Sequence, residues 1–181
     1  MAVVESRARA LGHPLHPILV VFPLGLFSTA TIFDALHRLR GQDPKLAEHA
    51  DAMIASGLIG GAAAAIPGLI DWIAIPKQTR ARSVGAIHGL GNAAVLGLFG
   101  ASWLLRRKAP HRPGTAAITL SLLGTGLAMY TGWLGGELVH RLGVSIDEGA
   151  DLNAPNSLVA HPDGPGITID PTDPTGKNDE K

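Results

Sequence analysis

The chain has 181 residues, 46 % of them apolar, 17 % charged and 4 % aromatic, and its 15 Lys and Arg balance its 15 Asp and Glu. It has no cysteine, which excludes a disulfide framework, thiolate-bound zinc, an iron–sulphur cluster and thioether-linked haem. The neutral balance argues against a duplex nucleic-acid binder, which needs a basic excess, so no nucleic-acid partner is expected.

Four apolar segments follow one another, at about 17–36, 52–75, 84–105 and 115–139. Each reaches the roughly 20 residues that cross a bilayer. Lys and Arg are absent from all four interiors. The ionisable residues inside them are Asp34, Asp71, His88 and Glu137, all within a turn or two of an end. A soluble bundle would show one charged face per helix, and no segment has one. A cleaved leader at the first segment fits poorly with Pro23 inside it and three further spans behind it. The expected fold is all-α: an integral membrane four-helix up-down bundle with a disordered acidic C-terminal tail. The membrane domain is expected over 1–142.

Small residues recur every fourth position in three segments, as Gly60, Ala64, Gly68, then Gly85, Gly89, Ala93, Gly97, Ala101, then Gly124, Ala128, Gly132, Gly136. They are expected to mark inward faces where helix backbones approach closely. Pro23 and Pro67 are expected to kink the first and second helices. From Gly143 the composition changes. Residues 143–181 hold five Pro, eight Asp and Glu and two Lys. A tail so poor in apolar residues is expected to be largely disordered and to suit a basic partner. Its charge is −6, so residues 1–142 carry +6.

Up-down threading places the N-terminus, the second connection and the tail on one side of the membrane. Arg7, Arg9, Lys77, Arg80, Arg82 and Arg141 lie there, against Arg38, Arg40, Lys45, Arg106, Arg107, Lys108 and Arg112 on the other. The cluster at 106–108 leans toward cytoplasm on its own side, which leaves both termini outside. The second side also collects Asp34, Asp51 and three histidines expected in polar loops, His37, His49 and His111.

The same threading gathers four histidines and two carboxylates at the first face: His13, His16, Asp71, His88, Glu137 and His140. His88 precedes Gly89 in the third stripe, so it is expected to face the bundle, with Asn92 one turn on. His13 and His16 lie in Gly12-His13-Pro14-Leu15-His16-Pro17, where the prolines fix the approach to the first helix. This stretch reads equally as a rigid anchoring turn. Glu137 and His140 share a helix face, but a di-iron bundle needs two such motifs and further Glu. Asp71 beside Trp72 is expected to sit in water or pair with Arg80 or Arg82. No Walker loop, nucleophile elbow or His-Glu-x-x-His motif is present, which points away from an enzyme.

These motifs resemble the bacterial four-helix membrane proteins of the domain-of-unknown-function 2231 family. The resemblance rests on Gly12–Pro17 with Phe22-Pro23-Leu24-Gly25, on Asp34 and on Gly68-Leu69-Ile70-Asp71-Trp72. It rests also on Arg82–His88 with Asn92, and on Gly132–His140 with Gly143-Val144. It implies a bacterial inner-membrane protein with no settled activity. Some relatives join the domain to a Rieske-type iron–sulphur domain, which implies electron transfer by association and a redox or membrane-protein partner. A Rieske centre needs Cys, absent here. Many relatives carry an aromatic residue where this chain has His140.

Two functions follow as expectations. One is a non-catalytic membrane scaffold or accessory module, with or without a metal ion held among His13, His16, His88, Glu137 and His140. The other is a b-type haem electron-transfer protein, with His88 and His16 or His13 as ligands and Asp71 and Asn92 orienting them.

Overall fold

The structure is a computed structural model that describes residues 3–148, 150, 152–153 and the backbone of 167–169. Four long helices dominate it: α1 (Leu15–Leu39), α2 (Pro44–Ala74), α3 (Arg80–Arg106) and α4 (Thr115–His140). All four are long and apolar enough to cross a membrane. Only 22 to 33 % of the most apolar window of each helix is buried, and Ile59, Leu90 and Met129 are more than 70 % exposed. The outward faces are therefore as apolar as the inward ones, which suits lipid rather than water. The chain is an all-α four-helix membrane bundle, as its composition implies.

Local chemistry sets the helix ends. At the start of α2, Asp43 accepts from the Lys45 amide at 3.0 Å, and Pro44 occupies the first turn, where its missing N–H is not needed. Thr79 caps α3 by accepting from the Arg82 amide at 3.1 Å. The end of α4 is closed by Gly143 at φ 68°, with the Val144 amide reaching back to the Leu138 carbonyl at 2.9 Å. That is a left-handed glycine cap with an apolar contact between Val144 and Leu138 beneath it. Pro23 and Pro67 stand inside α1 and α2, and each helix continues through its proline.

The chain divides into two contact units. Unit 1 comprises residues Met1–Ile18, Ala64–Gly89 and Leu134–Lys181, and unit 2 comprises Leu19–Ala63 and Leu90–Trp133. In unit 2 the core is Phe27, Ala30, Ala50, Ile54, Val95, Phe99 and Ala128. Phe27 and Phe99 stack with ring centroids 4.0 Å apart. Each ring lies against a glycine: a Cβ on Gly57 would come within 2.6 Å of Phe27, and one on Gly124 within 2.8 Å of Phe99. Lipid tails are as apolar as these side chains, so close packing, not removal from water, is what holds them.

In unit 1 the core is Ile75, Val84, Leu134, Leu138 and Val144. Beside it lies a small antiparallel sheet in the order β2–β1–β3, with β1 at Ala8–Ala10, β2 at His13–Pro14 and β3 at Ile167–Ile169. β1 and β2 form a hairpin with Ala10 opposite His13. Its two turn residues, Leu11 and Gly12, both have positive φ, at 50° and 80°. That is the turn geometry which matches strand twist, and it explains the glycine before His13. Val144 bridges Val4, and the Ser145 amide donates to the Val4 carbonyl at 2.7 Å. The chain just after Gly143 is thus fastened to the N-terminal segment. Beyond residue 148 only residues 150 and 152–153 and the backbone of β3 are described, and the rest of the acidic tail lies outside the described residues.

Two expectations about faces are corrected. The α3 stripe points inward only at Gly85, while Gly89, Ala93, Gly97 and Ala101 are exposed. On α4, Gly124 and Ala128 are buried but Gly132 is exposed. The reason is the helix period: a step of four residues advances about 400°, so a strict four-residue stripe drifts off any one face. The buried set on α3 is Val84, Val95, Phe99, Ser102 and Arg106, which keeps to the true period. The second correction is His37. It is not in a polar loop but inside α1, 1 % exposed, with its Nδ1 2.7 Å from the Asp43 carbonyl. His49 likewise belongs to α2, on its exposed surface.

Candidate functional site

All six polar residues that threading gathers, His13, His16, Asp71, His88, Glu137 and His140, fall in unit 1. Their surroundings differ.

The His16 and His88 rings lie 6.1 Å apart, nearly perpendicular. Both sit on glycines. A Cβ on Gly68 would come within 2.7 Å of His16 Nδ1, and one on Gly135 within 3.2 Å of His88 Cε1. His16 Nδ1 is 2.8 Å from the Ala64 carbonyl of α2. A carbonyl only accepts, so Nδ1 carries the proton and the neutral ring keeps its lone pair on Nε2. Both rings are half-buried. His13 and His140 are exposed. Among the described residues no three His, Asp or Glu side chains are grouped to hold a metal ion.

Asp71, near the end of α2, is 6 % exposed. The structure does not place it in water, nor against Arg80 or Arg82. Its carboxylate accepts from Ser6 Oγ at 2.9 Å, from the Arg7 amide at 2.8 Å and from the Ala8 amide at 3.3 Å. A helix carboxylate thereby pins the segment leading into β1. Nothing in the sequence pattern signals this, because two of the three partners are backbone amides more than sixty positions away, which side chains do not encode.

Arg80 is taken by Glu137, with Nη2 2.8 Å from Oε1, and Arg141 adds a weaker contact at 3.6 Å. Glu137 is buried while both arginines are exposed. The pair thus joins the start of α3 to the end of α4. Arg82 lies 3.7 Å above the Trp72 ring and donates to the Trp72, Ile73 and Ile75 carbonyls, while Trp72 Nε1 donates to the Arg82 carbonyl at 3.2 Å. This guanidinium satisfies the orphan carbonyls that end α2. Outside the helices, Arg9 donates to Asp147 at 2.6 Å and lies 3.5 Å from Glu5. The hydrogen bond from Arg9 holds the Asp147 carboxyl below its ordinary value, and partial burial raises that of Glu5.

Asn92, expected beside His88, belongs to unit 2. There its Oδ1 accepts from Thr131 Oγ1 at 2.9 Å, joining α3 to α4.

Among the described residues the most buried polar group lies in unit 2, and the sequence pattern does not announce it. Arg106 and Asp34 form a two-pronged ion pair with side chains 0 and 1 % exposed. Arg106 Nη1 donates to Asp34 Oδ1 at 2.8 Å, Nε to Ser102 Oγ at 3.2 Å and Nη2 to Ser121 Oγ at 3.1 Å. Ser102 and Ser121 are 2.9 Å apart, and Ser102 donates to the Ala117 carbonyl at 2.7 Å. The group joins α1, α3 and α4. In sequence Arg106 groups with Arg107 and Lys108 as a basic cluster that leans toward cytoplasm. The signal lay in spacing: Ser102 and Arg106 continue the buried face of Phe99, and Asp34 continues that of Phe27 and Ala30.

Comparison with known proteins gives one match. A family model described as predicted membrane protein, domain of unknown function 2231, matches residues 12–148. No curated protein and no solved structure matches the chain. The chain belongs to that predicted membrane-protein family.

Proposed function

Taking membership of that family as the premise, we propose that this protein is a non-catalytic membrane scaffold or accessory module. Its polar cluster in unit 1 serves to fix helices and strap together. The supporting observation is that Asp71, expected to orient a haem ligand on the second reading, and Glu137, expected as a metal ligand, are each engaged by donors of the chain itself. An absorption spectrum of detergent-purified protein, made with ample haem, tests this. The expected result is no Soret band. A Soret band that His88→Ala removes overturns the proposal.

One observation favours a second reading, in which His16 and His88 ligate haem b. His16 and His88 would hold the haem iron, and the haem would supply one-electron transfer. The two ring centroids are 6.1 Å apart, and His16 has the pinned Nδ1 usual for such ligands. On this reading the same spectrum shows the band.

The site of action is the bacterial inner membrane, with both termini outside. With Arg106 buried, six other basic residues remain on each side, so the lean rests on the neighbouring Arg107 and Lys108. The cysteine-free chain makes this simple to test. A single Ser157→Cys should react in intact cells with a membrane-impermeant maleimide, and protection until lysis reverses the assignment.

A further inference from the structure

Two buried side-chain atoms lack a hydrogen-bond partner among the described residues: Trp103 Nε1 and Asp51 Oδ1. Both belong to unit 2, and Trp103 lines a groove there. This groove of about 210 Å³ is lined by Ala55, Leu58 and Ile59 of α2 and by Trp103 of α3, and its walls are almost wholly apolar. Asp51 lies one turn before Ala55, on the same helix face. Beyond the groove, the Arg107 guanidinium stands 4.8 Å over the Trp103 ring, and exposed Lys108 follows it.

A buried indole N–H needs an acceptor, and a buried carboxylate oxygen needs a donor. The outward faces of α2 and α3 meet lipid, so the occupant must have an apolar chain for the groove. It must also carry an anionic acceptor toward Trp103, Arg107 and Lys108, and a donor toward Asp51. We propose that this groove is a binding site for a phosphatidylglycerol-type lipid. One acyl chain lies along Ala55, Leu58 and Ile59. The phosphate meets Arg107 and Lys108 and, after a small shift of the ring, the Trp103 N–H. A headgroup hydroxyl donates to Asp51. Charge complementarity decides the class: among the described residues no carboxylate pairs with Arg107 or Lys108, and Asp34 is already taken by Arg106.

Native mass spectrometry of the full chain, released from nanodiscs of equal phosphatidylglycerol and phosphatidylcholine, tests the site. Phosphatidylcholine has the phosphate but neither net negative charge nor a headgroup donor. The expected result is preferential retention of phosphatidylglycerol. Arg107→Gln and Trp103→Phe should each cut that preference about three- to tenfold, as loss of one hydrogen bond or charge contact implies. Arg107 is exposed, so its substitution leaves folding intact, and helical circular dichroism checks Trp103→Phe. Equal retention of both lipids overturns the proposal. So does a preference that survives both substitutions, which would locate the lipid elsewhere on the chain.

Discussion

Two carboxylates on neighbouring helices, Asp34 in unit 2 and Asp71 in unit 1, are both almost fully buried, yet they are satisfied by opposite means. Asp34 meets a guanidinium and through it two hydroxyls, all side chains of regular helix. Asp71 meets a hydroxyl and two amides of a non-helical segment. A charge pair deep in helices welds those helices to one another. A carboxylate facing backbone N–H groups fastens a non-helical strap to a helix end, beside the strand pairing and the Val4 bonds that the strap also makes. The Asp34 network of unit 2 is therefore a joint between spans, and the Asp71 network of unit 1 is a joint between a span and the segment beside it.

The strongest way to break this contrast is Asp34→Ala. It strands the Arg106 charge where no solvent reaches it, and the expected loss is about 3–5 kcal/mol in a denaturant titration in detergent micelles. Replacing both partners, as Asp34→Leu with Arg106→Leu, should recover most of that loss, because the penalty lies in the unpaired charge. A single variant as stable as the parent would show that the pair is not a weld.

Asp71→Ala should cost less, about 1–3 kcal/mol, since it leaves neutral donors that water can reach once the strap lifts. Its signature is local. Amide exchange should rise at residues 4–10 and at Ser145 while the middle of α3 is unaffected. Uniform acceleration along all four helices would place Asp71 in the same class as Asp34.

The smallest effect concerns acid. Asp147 has a lowered pKa, so its contribution is present above 3.8, its ordinary value, and fades as pH falls through its lower folded value. Glu5 has a raised pKa, so the folded form binds its proton first. Acidification through 4.5, its ordinary value, therefore favours the folded strap through Glu5. Exchange at Val4 and Ser145, corrected for intrinsic rate, should stay level or slow down to that point and rise only at lower pH. A rise already near neutrality would mean that neither group governs the strap. These groups are partly exposed, so solvent screening keeps the effect small.

The four spans were legible because bilayer length and the absence of Lys and Arg are properties of the chain itself. So was the gathering of His16, Asp71, His88 and Glu137 in one unit, which follows from chain order and helix length. Their partners were not legible. Arg80 serves Glu137 and Arg82 serves carbonyl oxygens, a choice set by reach and direction that composition leaves open. The outward α3 stripe was misread because a spacing of four only approximates the helical period over one or two turns.

The sequence by itself determined that this protein is a four-span membrane bundle, that it has no thiolate chemistry, and that its basic part is offset by an acidic tail. Only the tertiary structure decided which charges are buried and what each one holds. Burial depends on helix rotation and on contacts between residues distant in sequence: the same arginine reads as a solvated loop charge or as the centre of a dry network until α1 and α4 are seen around it.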